Sequence, residues 1–255
     1  MSLKLLLKDF YHHTGINFSE TEHIVDKKIQ NFYTQKGFKD YNDFFSSLKK
    51  DTELYQELIN LLTTSETYFY REFAQIDFCI SLIKNLSHTV KILCAPCASG
   101  EEAYSILIAM LEADINLSKI EIYAIDINSS EIQKAQKGIY IQRRLHKLSK
   151  SIQDKYFLPL AQDNFQIKPS LQKHIHFKQM NIFKPFEPNL KNFDVIFSRN
   201  MLIYFDDISQ KHVEKIFYDK LIRGGVLFLG HADKIHEVTS FTIKKHNGIH
   251  YYKKY

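Results

Sequence analysis

The sequence predicts an α/β fold: a mostly parallel sheet covered on both faces, preceded by an all-helical N-terminal domain. From Val90 onward, short apolar runs alternate with helix-patterned segments, as they do where strands are buried on both sides. Before about residue 62 the apolar spacing is helical and no strand signal occurs. At the C-terminus, Asn247-Gly248 separates two strand-like runs, so the sheet should end in an antiparallel hairpin.

The N-terminal helices come first. "FSETEHIVDKKIQNFYTQKG" opens on a Ser19-x-x-Glu22 capping signature and ends at Gly37. "DYNDFFSSLKKD" and "TELYQELINLLTTS" continue with helical spacing. "VKILCA" is then a first strand and "EEAYSILIAMLEA" an apolar helix. "IEIYAID" is a second strand, followed by a helix from "SSEIQKAQKG". "HIHFKQMN" and "FDVIFSRN" are the third and fourth strands. "QKHVEKIFYDKLIRGG" reads as a helix closed by glycine, and "VLFLGHAD" as a fifth strand. In such sheets ligands bind beyond the carboxyl ends of the strands. The polar residues there are Ser99 to Glu102, Asp126, Asn181, Arg199-Asn200 and His231-Ala232-Asp233.

Composition narrows the class. The chain has 255 residues, 44% hydrophobic and 25% charged, an ordinary balance for a globular protein with a sizeable core. No apolar run approaches the ~18 residues of a membrane span, and the N-terminus lacks the pattern of a secretory signal. Three cysteines without such a signal point to a reducing, cytoplasmic setting. The net charge of +5 is dispersed among acidic residues, so no nucleic-acid footprint is expected.

The stretch "KILCAPCASGEEAYS" admits three chemistries. A Cys94-x-x-Cys97 pair between strand and helix occurs in redox proteins, but Cys94 still falls within the strand pattern. A structural zinc site needs four ligands, and there is no second C-x-x-C, so no metal is expected. The third is a ligand-binding turn. Gly100 permits close approach and the helix start offers free N–H groups, but G-x-G-x-x-G is missing and Glu101 and Glu102 would repel a diphosphate. Ser99-x-x-Glu102 is also a capping box, and spacing alone leaves both readings open. Asp126 tips the balance. It ends the next strand, 26 positions after Gly100, where a carboxylate can accept both hydrogens of a ribose diol. A cationic nucleoside without a diphosphate, as in S-adenosylmethionine, suits this set.

Five blocks then resemble the chemotaxis-receptor glutamate methyltransferases, the CheR family. They are "TTSETYFYRE" (63–72), "CASGEEAYS" (97–105), "AIDINSSEIQKAQKGIY" (124–140), "FDVIFSRNMLIYFD" (193–206) and "GGVLFLGHAD" (224–233). The resemblance covers essentially the whole chain, and the blocks are specific in combination rather than singly. It implies a helical domain over 1–62 and a Rossmann-like S-adenosylmethionine-dependent methyltransferase domain over 63–255, with a small antiparallel β insert at about 158–173. It places cofactor contacts at Ser65, Thr67, Arg71, Glu102, Asp126, Asn181, Ile182, Arg199 and Asn200. Arg71 and Tyr204 fall at the catalytic positions. The chain departs from the family pattern at Ser65, usually Asn, and at Ser99 and Ala103, usually Thr and Pro. His231-Ala232-Asp233 replaces the usual His-Ser-Glu.

The reaction implied is methyl transfer from S-adenosylmethionine to glutamate carboxylates of chemotaxis receptors, by a cytoplasmic monomer with no membrane insertion. Two rivals are an S-adenosylmethionine enzyme acting on another acceptor and a non-catalytic binding protein. Some family members dock on a pentapeptide at the receptor C-terminus through a glycine-containing loop in the β insert. No glycine lies between Phe157 and Phe177, so docking is expected to be independent of the pentapeptide. It would fall instead to Lys27, Lys28, Lys36 and Lys39 of the helical domain, facing acidic receptor helices.

Overall fold

A computed structural model describes residues 3–63, 65–235 and 241–255; Thr64 of the first motif block lies outside the described residues. The chain opens with α1 (Leu3–Thr14), α2 (Glu22–Gln35), α3 (Tyr41–Leu48) and α4 (Thr52–Leu62). Asp40 and Asp51 start α3 and α4, each carboxylate accepting two backbone N–H groups at 2.8–3.0 Å. These helices close over Phe10, Ile29, Phe44 and Leu58, all essentially inaccessible to solvent. The Ser19–Glu22 box does not form: α2 begins after Thr21 without a side-chain cap, and the Ser19 N–H bonds Asn17 Oδ1.

A fifth helix, α5 (Phe73–Ile83), leads into the sheet domain. There follow β1 (Val90–Cys94), α6 (Glu101–Glu112), β2 (Ile120–Asp126), α7 (Ser129–Lys137), β3 (Ile139–Ile141) and α8 (Lys150–Tyr156). Next come β4 (Phe157–Pro159), β5 (Asn164–Ile167), α9 (Pro169–Gln172), β6 (Ile175–Gln179) and β7 (Phe193–Ser198). The chain ends with α10 (Asp207–Lys220), β8 (Leu221–Leu229), β9 (Phe241–His246) and β10 (Ile249–Lys254).

The main sheet runs β6-β2-β1-β7-β8-β10-β9. The first five of these strands are mutually parallel, and β10 and β9 form the antiparallel pair. This is a Rossmann-like arrangement whose order reverses at β1. Along β1 the side chains alternate between two cores: Ile92 and Cys94 join one apolar cluster, Leu93 the other. Phe197 and Ile196 of β7 divide in the same way. The predicted hairpin forms at Asn247 and Gly248, both with positive φ, and pairs His246 with Ile249.

Two elements differ from the sequence reading. Glycine does not close α10. The helix ends at Lys220, where the Lys254 ammonium donates to the Tyr218 and Leu221 carbonyls at 2.6 and 2.7 Å. Gly224 and Gly225 lie within β8, in an irregularity between the pairs Phe193–Leu221 and Val195–Val226. The small antiparallel sheet, ordered β3-β5-β4, draws one edge from Ile139–Ile141, outside the 158–173 stretch. Three residues are too few for a strand to show in the sequence pattern.

Candidate active site

Beyond the carboxyl ends of β1, β2 and β7 lies a cavity of about 310 Å³. Ser65, Thr67, Arg71, Glu102, Asp126, Asn181, Ile182, Arg199, Asn200 and Tyr204 all line it. The structure therefore gathers every cofactor and catalytic position implied by the resemblance around one space, from segments up to 139 positions apart, whereas Ser99, Glu101, His231 and Asp233, also read at the strand ends, do not line it.

Asp126 ends β2. One carboxylate oxygen accepts the Ala98 N–H and the other the Asn128 N–H, each at 2.8 Å. These bonds fix the carboxylate and leave each oxygen a further lone pair. Burial pushes its pKa up to about 6, against the lowering effect of those N–H groups.

Glu102 sits in the first turn of α6, and Arg199 at the end of β7 donates from Nε to its Oε2. The capping box therefore does not form. Gly100 occupies the cap position with φ +91°, and Ser99 Oγ donates instead to the Glu101 carboxylate at 2.8–2.9 Å. Gly100 also does not face the cavity. A β-carbon there would stand 2.9 Å from Ala135 Cβ and 3.1 Å from the Phe177 ring, so the left-handed backbone and close packing, not ligand approach, demand glycine. Glu101 is fully buried, and burial raises its pKa.

Arg71 follows Tyr70 in the turn before α5, and its Nη1 donates to the Glu66 carbonyl at 2.5 Å. Asn181 is half committed elsewhere: its Nδ2 donates to the His13 carbonyl at 2.6 Å and its Oδ1 accepts the Phe183 N–H at 2.9 Å. Asn200 adopts a left-handed backbone with its N–H held by Asp233 Oδ2. Tyr204 is 47% exposed at the cavity wall.

Sequence reasoning missed the third wall. Thr14, the last residue of α1, and Ile16 and Phe18 just after it line the cavity. Ile16 forms a β-bridge with Phe205, and the Asn17 N–H bonds the Tyr204 carbonyl at 2.9 Å. No local signal could have revealed this, because the partners lie some 190 positions apart.

The cysteines are buried free thiols, and burial raises the pKa of Cys94 and Cys97 well above the usual range. An activated redox or metal-binding thiol needs the opposite shift.

The first 63 residues match the all-alpha domain of CheR methyltransferase, and residues 65–249 match its SAM-binding domain. The chain belongs to the CheR methyltransferase family. Among its relatives, the chemotaxis protein methyltransferase of Campylobacter jejuni (strain 81-176) is 36% identical, covering 99% of this chain and 96% of its own. Chemotaxis protein methyltransferase 2 of Vibrio cholerae is 36% identical, covering 92% and 86%. That of Borreliella burgdorferi is 33% identical, covering 91% and 88%. As a CheR methyltransferase the chain uses S-adenosylmethionine, and its cavity suits that cofactor. Ser65 Oγ and Glu102 Oε1 are buried at its wall without a hydrogen-bond partner, so each can serve a polar ligand. The Asp126 carboxylate suits a diol, and Ile127, Met180 and Ile182 supply apolar surface for a flat base.

Proposed function

We propose that this CheR methyltransferase esterifies glutamate side chains on the cytoplasmic helices of chemotaxis receptors, leaving S-adenosylhomocysteine as second product. The observation that carries this reading is the convergence of Arg71 and Tyr204 on the cavity that Glu102 and Asp126 also line. Bound S-adenosylmethionine supplies an activated methyl group on a sulfonium. Asp126 holds the ribose diol. Glu102, locked by Arg199, presents Oε1 to the same ligand, and Ser65, Thr67, Asn181, Ile182 and Asn200 complete the seat. The acceptor glutamate is already ionised at neutral pH, so no general base is needed. The work left to the protein is alignment and exclusion of water. The Arg71 guanidinium can grip a carboxylate through paired N–H donors. The Tyr204 ring flanks the transfer path, its backbone fixed by Asn17. Incubation with tritiated S-adenosylmethionine and receptor-bearing membranes should leave base-labile label on the receptor; label elsewhere, or none, would refute it.

The enzyme acts as a cytoplasmic monomer; none of the described helices is long and apolar enough to cross a membrane. Receptor docking is independent of a C-terminal pentapeptide. Supporting this, the β4–β5 connection is tight: Leu160 N–H bonds the Asn164 carbonyl at 2.8 Å, and Gln162 and Asp163 take left-handed backbone without glycine. Lys27 and Lys39 are exposed and Lys28 half-buried, free to face acidic helices, whereas Lys36 is paired with Glu57. The contact should therefore be weak and salt-sensitive. The small sheet does expose Ile139, Ile141 and Leu158 on its edge strands. Titration with a receptor tail peptide decides between the two routes, and tight binding would overturn pentapeptide independence.

A further inference from the structure

The backbone on either side of Arg71 is strained. Tyr70 has φ +59° and Glu72 φ +50°, in the left-handed region that residues with a side chain rarely enter. Strain of this kind persists only where surrounding contacts enforce it, and it gathers at functional sites. At Glu72 those contacts can be named. Its side chain is 13% exposed, and Oε2 lies 3.0 Å from His231 Nδ1 and 3.8 Å from Arg199 Nη1. Neither is an aligned hydrogen bond; the Arg199 contact is a buried ion-pair separation, whereas the His231 side chain is 81% exposed and adds charge only when protonated. The same Arg199 Nη1 donates to the Arg71 carbonyl at 2.7 Å. Glu72 does not line the cavity, whereas Arg71 does. Nor does the Glu72 side chain cap α5 by a hydrogen bond, so starting that helix does not explain a glutamate where glycine would sit unstrained.

We infer that Glu72 is a positioning residue for methyl transfer. Its carboxylate, set between Arg199 and His231, holds the 70–72 turn in the form that aims Arg71 into the cavity. The ends of β7 and β8 thereby grip the one turn that carries the carboxylate-binding arginine. This rests on the function proposed above, and its test is chosen to separate the two.

Glu72→Gly should relieve the backbone strain, leaving the unfolding temperature at or above that of the wild type. Turnover on receptor should nevertheless fall about tenfold or more, the scale of a lost charge-assisted contact. Affinity for S-adenosylhomocysteine should fall severalfold by calorimetry. Glu72→Gln, which keeps the shape but not the charge, should lie between. In an Arg71→Ala background both losses should shrink to less than about twofold, because Glu72 acts through Arg71. Glu72→Gly with wild-type turnover and affinity, or losses undiminished beside Arg71→Ala, would overturn the inference. If Glu72→Gly fails to fold, the same cycle with Glu72→Gln decides. A wild-type chain that labels no receptor counts against the proposed function alone, and the calorimetric cycle still decides the role of Glu72.

Discussion

Arg199 Nε donates to Glu102 Oε2 across the floor of the cavity, joining the end of β7 to the first turn of α6. The two side chains are 5% and 9% exposed. The bond leaves Glu102 Oε1 without a hydrogen-bond partner in a residue that lines the cavity, so one carboxylate can serve the scaffold and a ligand together.

Removing Glu102 therefore does two things. Glu102→Ala leaves Arg199 buried with its nearest counter-charge gone, and breaking such a pair costs about 3–5 kcal/mol. The midpoint of urea unfolding should drop accordingly, and S-adenosylhomocysteine affinity should fall with it. An unchanged midpoint would mean that Glu72, 3.8 Å from Arg199, balances the charge unaided.

Asp126 gives the site a pH dependence. Its pKa of about 6 means that half the free protein carries a neutral carboxyl there near pH 6. Only the ionised form accepts both hydrogens of a diol. Affinity for S-adenosylhomocysteine should thus rise with pH through about 6 and level off above it. Below, it should fall up to about tenfold per pH unit. Stability runs the other way. The folded state holds this proton more tightly than the unfolded chain, whose value is near 3.8. The contribution of Asp126 is therefore most favourable below about pH 4 and is lost as pH rises to about 6. Asp126→Asn should flatten both profiles and weaken binding by about tenfold. A wild-type binding curve flat from pH 5 to 8 would remove Asp126 from the ligand.

Cys79, Cys94 and Cys97 are buried with raised pKa values, so they should react with thiol reagents only as fast as the protein opens. Cys94→Ala should lower stability slightly and leave methyl transfer largely intact. Alanine is the better probe than serine because Cys94 packs in an apolar cluster. Rapid labelling of Cys94 in the native protein, or stoichiometric zinc after purification, would contradict this.

Much of this was legible in the sequence, and the part that was not has a common cause. Strands β1, β2 and β7 announce themselves by short, mostly apolar runs, and the polar residues after them had to face the switch point. Asp126 was readable for that reason. Tyr204 was not readable from spacing; one tyrosine among fifteen gains meaning only from its motif. Gly100 was read for the right geometry and the wrong neighbour, because Ala135 and Phe177 come from distant segments. The capping box at Ser99 failed because Glu102 found a stronger partner in Arg199, and the one at Ser19 because α2 starts only after Thr21. Ile16, Glu72 and His231 depend on contacts that no local pattern encodes.

Asn128 supplies the last test, because it joins the two domains at the cavity. Its Nδ2 donates to the Asn60 and Thr63 carbonyls at 3.2 and 2.9 Å and to Thr63 Oγ1 at 3.0 Å. Its Oδ1 accepts the Glu131 N–H at 3.1 Å and so starts α7. Leu62 and Thr63, at the end of α4, line the cavity, so these bonds fix its helical wall. Asn128→Ala should lose a helix cap, about 1 kcal/mol, and the bonds to two part-buried carbonyls, about 1 kcal/mol more. Asn128→Ser separates these roles. A serine can cap α7 but is too short to reach α4. It should therefore recover the cap's share of stability while S-adenosylhomocysteine affinity stays reduced severalfold. Full affinity in Asn128→Ser would show that the helical domain shapes the cavity without help from this residue, through Ile16–Phe205 and Asn181–His13 instead.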